Sequence, residues 1–128
     1  MFTTPLPAQF PRLETGRLVL REITPGDRET ILNTYADEQV TRYIMQPITR
    51  LEQADEVIQA FRDGYQEGKS IFWGVTLKGE ERLAGSVSFE NIQWDDQRAE
   101  VAYDLGRDYW GKGIMSEALQ AALEFGFI

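Results

Sequence analysis

The stretch Tyr109-Trp110-Gly111-Lys112-Gly113-Ile114-Met115-Ser116-Glu117-Ala118 decides how the chain is read. Two glycines separated by one residue stand between an alternating run, Ala99 to Leu105, and a helical run that closes the sequence. Glycine has no Cβ, so main-chain N–H groups beside it can face a ligand closely. The first amides of a helix lack intrahelical acceptors and carry partial positive charge. A strand, a glycine-rich turn and a helix start therefore make a site for phosphate.

Working outward from that stretch, the period changes along the chain. Arg98 to Leu105 alternates as a strand, placing Glu100, Ala102 and Asp104 on one face and Val101, Tyr103 and Leu105 on the other. Ser70 to Leu77 and Arg82 to Ile92 read as two further strands around a Lys78-Gly79-Glu80 turn. Short links between these three strands predict an antiparallel meander. Upstream, Leu51, Ala54, Ile58, Phe61 and Tyr65 form one apolar stripe of an amphipathic helix, capped at Thr49 with Glu52 and stopped at Gly68. Thr24-Pro25-Gly26-Asp27 starts a shorter helix running to about Ala36 with Ile31, Leu32 and Tyr35 inward. Arg17 to Ile23 is a first strand, and the prolines at 5, 7 and 11 mark residues 1–12 as an extended N-terminal arm. Residues 13–128 are then one α+β domain in the order β, α, α, β, β, β, α.

Composition narrows the chemistry. With 128 residues the chain has room for one domain. There is no cysteine and no histidine, which removes disulfides, thiol nucleophiles and imidazole bases, and leaves no metal site in prospect. Catalysis must run on carboxylates, hydroxyls, lysines or main-chain amides. The net charge of −8, without a Lys/Arg cluster, argues against nucleic acid and is compatible with a cationic partner. No apolar run approaches a membrane span and no secretory signal is visible, so a cytoplasmic location is expected.

The glycine turn with its preceding strand resembles the acetyl-coenzyme-A-binding core of the GNAT N-acetyltransferase superfamily, and more narrowly its RimJ/RimL-type branch. The residues that carry the likeness are Arg17-Leu18-Val19-Leu20-Arg21, Gly85-Ser86-Val87-Ser88-Phe89, Arg98 to Leu105, and Tyr109 to Gly113 with Ser116 to Leu119. The resemblance implies a mostly antiparallel mixed sheet flanked by helices, with acetyl-CoA as cosubstrate and no metal. It implies that Tyr103, Asp104 and Leu105 line the pantetheine arm as an added strand would. It also implies that the segment Trp110, Gly111, Lys112, Gly113, Ile114, Met115 and Ser116 holds the pyrophosphate. One departure is Asp108, an acid where the family's loop often has Gln or Arg. The resemblance further implies transfer of acetyl to a primary amine, such as a protein N-terminus, by direct attack on the thioester. A non-catalytic CoA-binding module is the alternative.

Such a transfer needs a neutral amine, and a carboxylate with an ordinary pKa near 4.3 is a poor base for an ammonium. Glu100 occupies the Ala-Glu-Val context that some family members use for a general base; the other reading is a solvated side chain or an ion pair with Arg98 or Arg82. Glu90 and Asp104 can attract a cationic amine, while Tyr35, Tyr43 and Trp73 are expected either in an acceptor pocket or in the core. Ser86 and Ser88 show no neighbouring base in the sequence, and neither a Walker loop nor a Rossmann fingerprint is present. A complete domain of the family continues with a parallel strand, a helix and two more strands, so this chain is expected to be short at its C-terminus. Truncation and completion by a partner chain, with a homodimer as its simplest form, both stay open.

Overall fold

The computed structural model describes residues 6–42 and 46–126. The expectations for Tyr43, for the start of the arm and for the last two residues lie outside these. Five strands, β1 (Leu13–Glu14), β2 (Leu18–Glu22), β3 (Ile71–Leu77), β4 (Gly85–Gln93) and β5 (Arg98–Leu105), form one sheet in the order β1-β2-β3-β4-β5. Every neighbouring pair is antiparallel, as the short links require. The helices are α1 (Arg28–Tyr35), α2 (Glu38–Thr41), α3 (Leu51–Gln66) and α4 (Ile114–Gly126).

The register sorts side chains onto two faces. Val75 pairs with Gly85, Trp73 with Val87 and Ile71 with Phe89, and these face α4 together with Leu18 and Leu20. Trp73 and Phe125 meet edge-on at 5.3 Å, and Trp73 meets Phe89 at 5.9 Å. Ile114, Ala118 and Ala122 of α4 complete this core. Trp73 is fully buried there and donates its indole N–H to the Pro11 carbonyl (2.8 Å), so it is core and lies away from any acceptor pocket. The opposite face meets α1 and α3 through Ile23, Ile31, Tyr35, Ala54 and Ile58, with Phe61 stacked on Phe72 at 3.9 Å.

Local chemistry sets the element ends, with some departures from the sequence reading. Asp27 accepts the Thr24 amide (2.9 Å) as anticipated, but the first turn is 3₁₀ over Pro25–Asp27, and the same carboxylate takes both arms of Arg21 (2.8 and 2.9 Å). At α3 the carboxamide of Gln53, not Glu52, accepts the amides of Thr49 (2.7 Å) and Arg50 (3.1 Å). The N-cap is therefore Arg50, one residue later than expected. Gly68, at φ +71°, ends this helix where a side chain would be strained. β4 starts at Gly85 rather than Arg82. A Cβ on Gly85 would lie 2.2 Å from the Asp104 carbonyl oxygen, so only glycine admits β5 this closely. β1 and α2 were not expected; two and four residues are too few to show a period. Among the described residues no helix is long and apolar enough to cross a membrane, and no cluster of metal-ligating side chains occurs.

Candidate active site

β5 is an edge of the sheet, and its outer side leads into the glycine turn. Gly106 N donates to the Ala84 carbonyl (2.8 Å), which puts Gly106, Asp104 and Ala102 at the bonded positions of the β4–β5 ladder. The main-chain groups of Leu105, Tyr103 and Val101 consequently turn toward the open edge. The Leu105 carbonyl is taken by the indole N–H of Trp110 (2.7 Å). That leaves the edge groups of Tyr103 beside a cavity of about 290 Å³ lined by Val40, Tyr103, Asp104, Leu105, Trp110, Gly111 and Met115. Tyr103 and Trp110 are both exposed, at 56% and 47%.

The turn itself has the geometry a phosphate needs. Gly111 and Gly113 adopt φ of +77° and +73°, the left-handed region. A Cβ on Gly111 would meet nothing within 4 Å, so the loop presents main chain to open space. The first main-chain bond of α4 runs from Glu117 N to Gly113 O (3.3 Å); the amides of Ile114, Met115 and Ser116 precede it without helical acceptors. Lys112 and Ser116 are exposed, and Ile114 is buried under the turn.

Arg17 and Glu117 hold this turn against the sheet. The Arg17 guanidinium donates to the Lys112 carbonyl (3.0 Å) and to Glu117 (2.8 Å), and Glu117 also accepts the Arg17 amide (3.0 Å) and the Thr15 hydroxyl. Hydrogen bonds from Thr15 and Arg17 lower the Glu117 pKa to about 2. Arg17 and Glu117 carry the family likeness in the sequence, but only the fold shows that they clamp one loop.

On the α1–α3 side of β4 and β5 the register places Ser86 opposite Asp104, Ser88 opposite Ala102 and Glu90 opposite Glu100. Asp104 accepts the Tyr35 hydroxyl (2.6 Å) and the Ser86 hydroxyl (2.6 Å) on the same oxygen. Ser88 donates to Glu90 (3.2 Å). Both serines thus have carboxylate neighbours, contrary to the sequence reading: Asp104 lies across the ladder from Ser86, and Glu90 lies two residues on from Ser88 on the same face of β4. Burial pushes the Asp104 carboxyl above its usual range, while the bonds from Ser86 and Tyr35 pull it partly back. Tyr35 is pushed well above its ordinary value by burial and by the charge of Asp104. These groups line a second cavity of about 240 Å³ with Val57, Ala60, Phe61, Phe72, Ala102 and Tyr103. The two cavities share Tyr103 and Asp104.

Glu100 is placed differently. It is exposed, accepts the Asn91 carboxamide (2.8 Å), and lines neither cavity. Arg98 pairs loosely with Asp96 (3.7 Å) instead of with Glu100. Asp108 is exposed on a short 3₁₀ turn, while its neighbour Arg107 ties that turn to Asp37 at the start of α2 (2.7 Å).

Comparison with known proteins agrees with this geometry. Residues 17–128 match the acetyltransferase (GNAT) domain family. The chain is 36% identical over 119 residues to the uncharacterized N-acetyltransferase YoaA of Bacillus subtilis (strain 168), covering 92% of this chain and 67% of the relative. It is 26% identical over 126 residues to the [ribosomal protein uS5]-alanine N-acetyltransferase of Escherichia coli (strain K12), covering 89% and 62%. Its fold matches that of RimL, a ribosomal L7/L12 alpha-N-protein acetyltransferase solved with coenzyme A, with a TM-score of 0.78 at 20% identity, covering 90% and 67%. The chain spans about two thirds of the length of these relatives. A five-stranded antiparallel sheet, helices on both faces and a glycine turn at the edge strand are thus those of a GNAT acetyltransferase domain, the family to which this chain belongs.

Proposed function

We propose that the chain transfers an acetyl group from acetyl-CoA to a primary amine, a protein N-terminus being one acceptor of that kind. The observation that carries this reading is the continuity of β5's open edge with the glycine turn. Outward main-chain groups at Tyr103 suit an extended amide-containing arm, and the amides of Ile114, Met115 and Ser116 suit a diphosphate. The backbone supplies the grip, so little side-chain signature is needed. Leu105 takes part through its amide, its carbonyl being engaged by Trp110.

The thioester supplies an activated acetyl carbonyl; the chain has to orient it and present a neutral amine. An ammonium entering from the α1–α3 side of the sheet loses one proton to a carboxylate, breaking N–H and forming O–H. The amine nitrogen then attacks the carbonyl, a C–N bond forms, the C–S bond breaks, and the departing thiolate takes a second proton from the nitrogen. Two carboxylates lie on that side of β5, Glu100 and Asp104, and only Asp104 borders both cavities. The uS5-alanine N-acetyltransferase of Escherichia coli and the L7/L12 acetyltransferase RimL act on ribosomal proteins, which supports a protein amine as one substrate.

Thermal unfolding with acetyl-CoA tests the reading. A ligand at a hundred times its Kd raises native-state stability by about 2.7 kcal/mol. Wild type gains that increment and Gly113→Glu gains none, because a side chain at φ +73° strains the turn and its carboxylate opposes the pyrophosphate. Equal shifts in both proteins would remove the phosphate site.

A further inference from the structure

The 240 Å³ cavity between α1, α3 and the β4–β5 ladder has walls of two kinds. Val57, Ala60 and the stacked Phe61–Phe72 pair form one side, and Asp104, Glu90, Ser86 and Ser88 form the other. Its volume corresponds to roughly eight waters' share of liquid, enough for a short side chain and its amine. A carboxylate half withdrawn from water costs free energy unless something ionic meets it. Here Tyr35 and Ser86 both donate to one oxygen of Asp104, Oδ2, and fix the group's rotamer, while among the described residues no cationic side chain lines the cavity. An anion held rigidly by hydroxyls, beside aromatic walls and without a cation of its own, is a cation-receiving site.

We propose that Asp104 is the seat of the acceptor's ammonium group, and that the acceptor is a primary amine carried next to an apolar or aromatic group that fills the Phe61–Phe72 side. The seat deepens the acetyl-transfer reading and rests on it for its purpose, though not for its chemistry. Tyr35 and Ser86 are positioning residues, acting only through Asp104. Glu90 adds negative potential from the next rung but one of the same face and is bonded to Ser88.

Heteronuclear NMR titration with 2-phenylethylamine and its neutral isostere 2-phenylethanol tests the seat on the whole chain. The amine shifts the resonances of Val57, Ala60, Phe61 and Ser86. Asp104→Asn weakens the amine at least about tenfold, the scale of one charge-assisted hydrogen bond, and leaves the alcohol within about twofold. A merely structural role for Asp104 would weaken both ligands alike, and that result overturns the proposal. So does an amine that shifts none of those residues, or equal amine affinity in both proteins. Wild type alone supplies a second test should the variant not fold. Lowering pH through the carboxylate range weakens the amine and spares the alcohol; among the described residues the titratable groups that line the cavity with Asp104 are Tyr35 from α1, Glu90 from β4 and Tyr103 from β5, and α3 presents Val57, Ala60 and Phe61. Glu90→Gln separates the two acids, because it leaves most of the amine affinity if Asp104 is the seat. Acetyl-CoA added to the same samples reports on residues 110–116. Amine binding without acetyl-CoA binding sinks the acetyl-transfer reading alone, and the reverse sinks the seat alone.

Discussion

The two faces of the sheet use the same strands for opposite purposes. In β4, Val87 and Phe89 point to α4 and are sealed in an apolar core, while Ser86, Ser88 and Glu90 point to α1 and α3 and border a cavity. One face is closed by aromatic rings at 5.3–5.9 Å, with Trp73 wholly buried. The other face buries hydroxyls and a carboxylate, and satisfies them against each other; among the described residues no buried side-chain nitrogen or oxygen lacks a partner. The α4 side is apolar packing, whereas the α1–α3 side combines an apolar cluster with the groups that can do chemistry. The alternation of a strand makes the division possible without a second domain.

Removing the largest element of the stable face should have the largest effect. Trp73→Ala takes away a buried ring and its bond to Pro11, and is expected to cost about 3–5 kcal/mol in urea unfolding. A cost below about 1 kcal/mol would mean that the α4 face is not the main support. On the other face, Tyr35→Phe keeps the ring and deletes one donor to a charged, partly buried acceptor. The expected cost is about 1.5–3 kcal/mol, and Ser86→Ala, which likewise deletes one hydroxyl donor to the same oxygen, is expected to cost a similar amount. If Tyr35→Phe proves neutral in denaturant, the hydroxyl–carboxylate network is ornamental and the division of labour fails.

How much of this was legible in the sequence follows the same division. Period-two alternation gives β5 its bounds, Arg98–Leu105, and groups Glu100, Ala102 and Asp104 on one face from the sequence alone. The glycine turn and the start of α4 were equally readable, since positive φ at Gly111 and Gly113 is a local property. What could not be read was which of two carboxylates on one face is covered. Asp104 owes its setting to Tyr35, 69 positions away, and to Ser86 across the ladder, and both depend on register. Glu100, four residues earlier, lies opposite Glu90 where a bulge at Asn91 (φ +50°) opens the strand pair to solvent. Gln53 replacing Glu52 at the α3 cap is a smaller case of the same kind: the motif's spacing was visible, and the choice of N-cap residue was made by the incoming backbone.

The clamp beneath the glycine turn belongs to neither face, and pH should expose it. Glu117 has its pKa lowered to about 2 by the Thr15 hydroxyl and by Arg17, against an ordinary value of 4.5. A carboxyl depressed in the folded state contributes stability that is complete above its unfolded pKa and is lost as pH falls toward the folded value. The window is therefore pH 4.5 down to 2. Both partners are partly solvated, with side-chain exposures of 49% for Arg17 and 24% for Glu117, so the contribution is screened and modest. Glu117→Gln keeps an acceptor for Thr15 but not the charge. Wild type should be the more stable above pH 4.5, and the gap should close as pH drops to 2. Since the clamp also carries the Lys112 carbonyl through Arg17, the same variant should lower acetyl-CoA affinity more than it lowers stability. Parallel stability curves for the two proteins across that window would show that Glu117 holds the turn by shape alone, leaving its charge without a part in the site.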